Sequence, residues 1–227
     1  MSSVVLHLVV VPLAYLLGSF PTGYLLVRAR TGLDVRRIGS GRTGGTNVLR
    51  SAGVLPAIIT ILGDGLKGIA AVLLARAVAG TPLALALAGV AAILGHNHSI
   101  FLSWRGGAGT ITAIGVALAI SPPVAAGAIV LGLAAVLISR YASLGSIAVA
   151  LSLPVLFAAG AHWAGMPWVH TAYAAAAGTL SLLSLRPNIR RLLTRQERRL
   201  GQALSLPVSG PKKQVPVTEH IRPPRAG

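Results

Sequence analysis

The chain has 227 residues, of which 54% are hydrophobic and 11% charged, and its mean hydropathy is +0.75. A soluble domain carries about 25% charged residues, so this balance excludes a soluble globular protein and leaves no room for a second folded domain outside a bilayer. The net charge of +16 does not indicate nucleic-acid binding, because the arginines cluster at the ends of apolar runs, and the lack of cysteine excludes disulfides and thiolate chemistry.

Long Ala/Leu/Val runs without strand-like alternation predict an all-α integral membrane protein. The first run, residues 4–27, has no basic leader and no clear cleavage site, so it reads as a retained first span rather than a signal peptide. Gly18-Ser19-Phe20-Pro21-Thr22-Gly23 predicts a kink or unwound turn near its end. The loop Ile38-Gly39-Ser40-Gly41-Arg42-Thr43-Gly44-Gly45-Thr46-Asn47-Val48-Leu49-Arg50 follows. Its glycines let backbone N–H groups approach a ligand, and its hydroxyls, amide and arginines are donors that suit phosphate oxygens.

The next runs cover residues 54–79, 82–95, 109–120, 122–138, 142–161 and 168–185. Asp64 and Lys67 interrupt the first of them at a spacing that puts both on one helix face, where pairing offsets the cost of charge in a membrane. Between the runs ending at 95 and starting at 109 lie Gly95-His96-Asn97-His98-Ser99 and Trp104-Arg105-Gly106-Gly107-Ala108-Gly109-Thr110. A glycine turn opening a helix presents free N–H groups and the positive dipole end to an anion. His96 and His98 have no nearby carboxylate and do not read as a zinc site. Trp163, Met166-Pro167 and Trp168 read as an outer interfacial turn.

That makes about seven transmembrane helices, or five if the 82–120 region is re-entrant. With the N-terminus outside and the C-terminus cytoplasmic, the inner loops and tail hold nearly all the basic residues, as the positive-inside rule requires; only Arg76 lies near an outer end. The three polar clusters, the third being Arg186-Pro187-Asn188-Ile189-Arg190-Arg191 with Glu197, then share the cytoplasmic side. Residues 1–200 form one polytopic domain, and 201–227 read as a disordered, basic, Pro-rich tail. The chain has four acidic residues, and no carboxylate pair or Ser-His-Asp set is evident. A reaction here needs an already activated substrate; acyl transfer to a phosphorylated alcohol meets that condition.

These segments resemble the bacterial membrane acyl-phosphate:glycerol-3-phosphate acyltransferases, the PlsY family, over most of the chain up to about Gly201. The resemblance rests on Gly18–Tyr24, Asp34-Val35-Arg36, Gly39-Ser40-Gly41 through Arg50, and Asp64-Gly65-Leu66-Lys67-Gly68. It also rests on Leu94–Leu102 with Arg105-Gly106-Gly107-Ala108-Gly109, Ser143-Leu144-Gly145-Ser146-Ile147, and Asn188–Leu192 with Glu197. It implies a seven-helix enzyme of the bacterial inner membrane with its active site facing the cytoplasm. That enzyme moves a fatty acyl group from acyl phosphate to position 1 of glycerol 3-phosphate, making lysophosphatidate for phospholipid synthesis, with no metal or other cofactor. Membrane lipids are the remaining partners, and the oligomeric state is left open.

Candidate catalytic residues are Ser40, Arg50 and Asn188. Candidate substrate-binding residues are Gly41, Arg42, Gly44, Thr46, Asn47, Lys67, His96, Arg105, Gly106, Gly107, Gly109 and Glu197. The chain departs from the family pattern at Arg42 (usually Asn), Ala108 (usually Lys) and Leu185 (usually His). Those departures keep a catalytically impaired, substrate-binding paralogue open as an alternative. An organic-anion transporter is the other, although no internal repeat is visible.

Overall fold

The computed structural model describes residues 3–201. The expected disordered tail, apart from Gly201, lies outside the described residues. Among the described residues nine α-helices follow one another: α1 (Ser3–Ser19), α2 (Thr22–Thr31), α3 (Gly45–Ala52), α4 (Val54–Val78), α5 (Pro82–Asn97), α6 (Thr110–Ile120), α7 (Pro122–Ser139), α8 (Ala142–Trp163) and α9 (Trp168–Leu193). Single 3-10 turns, Val35–Arg37 and Ile100–Leu102, punctuate the loops after α2 and α5.

The first apolar run is broken where its Gly/Pro cluster predicts. Helix α1 stops at Ser19, and Pro21, which cannot donate a backbone bond, precedes α2. At the break the Phe20 carbonyl accepts from the Thr22 N–H and also takes a hydrogen bond of 3.1 Å from Lys67 Nζ on α4. Close backbone approach then holds the bundle. A Cβ at Gly18 would lie 2.0 Å from the Ala92 carbonyl oxygen, and one at Gly95 would lie 2.1 Å from that of Tyr15, so glycine lets α1 and α5 touch along their backbones. Gly68 and Gly115 do the same for α4 against α6, and Gly178 for α9 against α8. Helix α5 sits centrally, against α1, α4, α6 and α9. Among the largest fully buried side chains are Ile93, Leu153, Phe157 and Tyr173. Tyr173 keeps its hydroxyl satisfied by donating to the Ala113 carbonyl at 3.1 Å.

All seven apolar runs are helical. Five described segments are long and apolar enough to cross a membrane: Val5–Thr31, Val54–Val78, Pro82–Leu102, Pro122–Ser139 and Ala142–Trp163. Helix α6, at 11 residues, is about 16 Å long, roughly half a bilayer core. Helix α9 has 26 residues, but His170, Thr171, Tyr173, Thr179, Ser181 and Ser184 dilute its apolar stretch. Leu8, Leu62, Val130, Leu137, Ile138 and Val155 are exposed apolar side chains, as lipid-facing surfaces require.

Candidate functional site

At the end of the bundle where α5 and α9 finish and α6 and α8 begin, the long loop after α2 folds over the helices. Asp34 opens its 3-10 turn by accepting from the Arg36 N–H at 2.9 Å. The Arg36 guanidinium returns to Asp34 (Nε to Oδ1 3.0 Å, Nη2 to Oδ2 2.8 Å) and donates to the Leu102 carbonyl at 2.9 Å. It also lies over the Tyr24 ring at 5.2 Å. The Arg36 hydrogen bonds hold the Asp34 carboxyl below its ordinary pKa, against an opposing effect of burial. This clip joins the loop before α3 to the loop before α6. Asn47 ties the first loop to itself: Nδ2 donates to the carbonyls of Val35 (3.2 Å), Ile38 (3.0 Å) and Arg42 (2.8 Å), and Oδ1 accepts from the Ser40 N–H at 3.2 Å.

The loops enclose a cleft of about 110 Å³. One wall is Ser40, Arg42, Gly44, Gly45, Thr46, Asn47 and Arg50, and another is Ala108, Gly109, Thr110 and Ile111. Ala142, Ser143, Ser146, Leu185, Asn188 and Glu197 close the third side, with Asp64 and His96 completing the lining. The first turns of both α3 and α6 therefore line it, and neither helix has a side-chain cap. Each leaves backbone N–H groups and about half a positive charge at its start. Gly109 begins α6 at φ +79°, a conformation costly for any residue with a Cβ, and a Cβ there would meet Asn97 Oδ1 at 2.6 Å.

Three carboxylates are described, and each has a cationic partner. Asp34 pairs with Arg36. Asp64 pairs with Lys67 at 2.8 Å and faces His96 Nδ1 at 3.5 Å. Glu197 takes Arg191 Nε at 2.8 Å on Oε2, and on Oε1 it accepts from Asn188 Nδ2 at 2.9 Å and Ser143 Oγ at 3.3 Å. A carboxylate only accepts, so it fixes which end of the Asn188 amide faces it. Asn188 is 8% exposed, lines the cleft, and its Oδ1 has no partner among the described residues. Arg42 Nη1 is likewise buried without a partner. Burial, with repulsion from Arg191 and against the pull of Glu197, pushes the Arg42 pKa down to about 10, which leaves it charged at neutral pH. The Arg50 pKa is lowered by burial first, then by Arg198 and Arg191, against Glu197. Arg42 and Arg50 thus bring positive charge to a cleft whose carboxylates are engaged with other cations. Among the described residues no three His, Asp or Glu side chains gather as metal ligands would.

The cleft collects Ser40, Arg42, Gly44, Thr46, Asn47, Arg50, His96, Gly109, Asn188 and Glu197. Five residues read as substrate-binding do not line it. Lys67 is spent on Asp64 and the Phe20 carbonyl. Gly41, at φ +72°, only turns the loop, its N–H bonding to the Ile38 carbonyl at 2.9 Å. Arg105 is exposed. Gly106 and Gly107 admit His96, since a Cβ would meet its carbonyl oxygen at 1.9 Å and its Nε2 at 2.0 Å respectively. Asn47 and Glu197 line the cleft, but their polar atoms bind protein. Sequence reasoning left Ser143 and Ser146 without a role, although two serines three apart opening an apolar helix mark a polar face. It named Gly44, Thr46 and Asn47 but read them as loop, not as the start of helix α3. The three family departures, Arg42, Ala108 and Leu185, all line this one cleft.

Residues 8–195 match the family described as glycerol-3-phosphate acyltransferase. A glycerol-3-phosphate acyltransferase 2 of Moorella thermoacetica is 43% identical over 189 residues, 83% of this chain and 95% of that one. A glycerol-3-phosphate acyltransferase of Rubrobacter xylanophilus is 43% identical over 196 residues, 86% of this chain and 96% of that one. The crystal structure of PlsY, an integral membrane glycerol 3-phosphate acyltransferase, in its glycerol 3-phosphate form superposes with a TM-score of 0.79 at 36% identity, covering 86% and 96% of the two chains. Its lysophosphatidic acid form gives 0.76 at 35% identity, covering 86% and 95%. The chain belongs to the glycerol-3-phosphate acyltransferase family and is an integral membrane protein.

Proposed function

We propose that this chain transfers a fatty acyl group from acyl phosphate to the 1-position of glycerol 3-phosphate, giving lysophosphatidate at the cytoplasmic face of a bacterial plasma membrane. The observation that carries the reading is one cleft in which unpaired cationic groups, two uncapped helix starts and a free Asn188 Oδ1 converge. Arg42, Arg50 and the first turns of α3 and α6 hold phosphate oxygens. Asn188 Oδ1 accepts from the attacking hydroxyl, and Glu197 keeps that oxygen turned toward the cleft. Ser40 lines the same wall and contributes a hydroxyl donor. The donor is already activated and its phosphate leaves readily, so positioning and charge stabilisation supply the catalysis. The polar substrate occupies the cleft, and the acyl chain lies along the bilayer.

Leu185 supports a second reading, binding without turnover: it is buried and lines the cleft where the family resemblance implies a histidine. One assay separates the two. Purified protein in lipid vesicles is given palmitoyl phosphate and labelled glycerol 3-phosphate, beside its Ser40→Ala variant. Labelled lysophosphatidate from the wild type and its loss in the variant are expected. Bound glycerol 3-phosphate with no product establishes the second reading instead.

A further inference from the structure

The turn between α5 and α6 carries exposed apolar side chains that the cleft does not use. Ile100 is 49% exposed, Phe101 59% and Trp104 61%, and none of them lines the cleft. Two contacts pin this turn to the end of α1, where Phe20 is also exposed. The Ser99 hydroxyl donates to the Ser19 carbonyl at 2.6 Å, and the Tyr15 hydroxyl donates to the His98 carbonyl at 2.7 Å. The Trp104 ring comes to 6.4 Å from the Tyr15 ring. Tyr15 stands one turn before Ser19, so the indole reaches about 6 Å back along α1 from its end. Leu13, Leu16 and Leu17 on this part of α1 are exposed apolar side chains of the membrane-embedded body, and the turn continues that surface.

The turn is firmly held. The Leu102 and Trp104 N–H groups both bond to the Ser99 carbonyl, at 3.1 and 2.9 Å, and the Leu102 carbonyl accepts from Arg36. Ser103 and Trp104 both lie at positive φ, +53° and +64°. That region is costly for any residue with a Cβ, so the surrounding bonds impose it. The strain leaves a large aromatic ring exposed rather than packed in the core. Tryptophan has an apolar body and a polar N–H, and it favours the boundary between headgroups and acyl chains. The next residue, Arg105, is exposed and brings a cation that suits anionic headgroups.

We infer that Ile100, Phe101 and Trp104, with Phe20, form an interfacial anchor. It seats in the headgroup–acyl boundary of the leaflet on the cleft's side, with Arg105 against anionic headgroups. The loop runs on into Ala108 and Gly109, which line the cleft, and the Gly107 N–H returns to the His96 carbonyl at 3.0 Å. The anchor therefore fixes the height of that wall against the bilayer. Arg105 gains a lipid partner in place of a substrate. The anchor does not depend on which reaction the cleft performs.

The test reads Trp104 fluorescence in the full-length protein, in vesicles of phosphatidylcholine and phosphatidylglycerol. Trp163→Phe with Trp168→Phe leaves Trp104 as the only tryptophan. Bromine on the lipid chains close to the headgroup should quench it at least twofold more than bromine at the chain ends, and aqueous iodide should quench it least. The chain has no cysteine, so Phe101→Cys gives a single labelling site and an independent reading. A nitroxide there should be more accessible to oxygen than to a water-soluble nickel chelate. Arg105→Glu should reduce the headgroup-side quenching about twofold with phosphatidylglycerol present and leave it unchanged in phosphatidylcholine alone. An equal reduction in both lipids refutes the part given to Arg105. Strong iodide quenching with none from brominated lipid puts the turn in water, open to a soluble partner, and overturns the anchor. Protection from both quenchers means that protein covers the turn, a second copy included, and overturns it equally.

Discussion

Two regions of this molecule bury charge, and they do it in opposite ways. Inside the bundle, Asp64, Lys67 and His96 satisfy one another, and Lys67 also donates to the Phe20 carbonyl at the α1–α2 break. At the cleft, Arg42 Nη1 and Asn188 Oδ1 are buried with no partner among the described residues. A buried polar group left unpaired costs free energy that folding alone has no reason to spend. On the proposed function the paired charges support the fold and the unpaired groups at the cleft await a ligand, and neither sequence spacing nor residue type separates them.

The largest expected effect breaks the paired region. Lys67→Met leaves Asp64 without its closest cation and should destabilise the protein by about 3 kcal/mol or more, read as thermal unfolding in detergent. Adding Asp64→Asn to it should recover much of that loss. If Lys67→Met keeps its stability and loses only substrate affinity, Lys67 belongs with the ligand-binding charges after all.

Next comes Arg42→Ala at the unpaired region. A charge-assisted hydrogen bond is worth about 1.5–3 kcal/mol, so KM for glycerol 3-phosphate should rise about tenfold to hundredfold. The melting temperature should hold or increase, because a buried, unsatisfied group is removed. A fall in stability equal to the loss in binding would erase the contrast between the regions.

Glu197→Gln sharpens it from within the cleft. The change removes the anion that fixes the Asn188 amide and pairs Arg191. An acceptor free to flip should cost about tenfold in kcat with KM for glycerol 3-phosphate little changed. A rise in KM alone would make Glu197 a direct substrate ligand.

The smallest effect is at the Asp34–Arg36 clip. The folded Asp34 carboxyl titrates below its ordinary value, so its contribution is fully present above about pH 4 and is lost as pH falls through the folded pKa. Asp34→Asn should therefore cost about 1 kcal/mol at neutral pH, and that cost should shrink as pH falls through the folded pKa, measured as denaturant stability against pH. An equal cost at neutral and low pH would mean that the pair adds no electrostatic stability.

Much of this architecture was readable from residue order. The Gly18–Gly23 break, the loop around Ser40 and the glycine start of α6 all form where local chemistry demands. Helix α9 instead continues past Pro187 to Leu193, which places Asn188 and Arg191 three apart on one face, opposite a returning Glu197. Gly106 and Gly107 resemble Gly109 in sequence, yet they make room for His96 while Gly109 lines the cleft. A glycine signals a close approach without saying what approaches.

The sequence by itself determined an all-helical membrane protein, the helix breaks and the segments rich in phosphate-binding groups, because hydropathy, proline and glycine act over a few neighbouring residues. Only the tertiary structure decided which cations are spent and which are available. Lys67 meets a carbonyl 47 residues away and Arg36 one 66 residues away. Asn188 takes its orientation from a carboxylate beyond the end of its helix. Partners of that kind are set by how helices pack, and packing also turned three scattered departures, Arg42, Ala108 and Leu185, into the lining of one cleft.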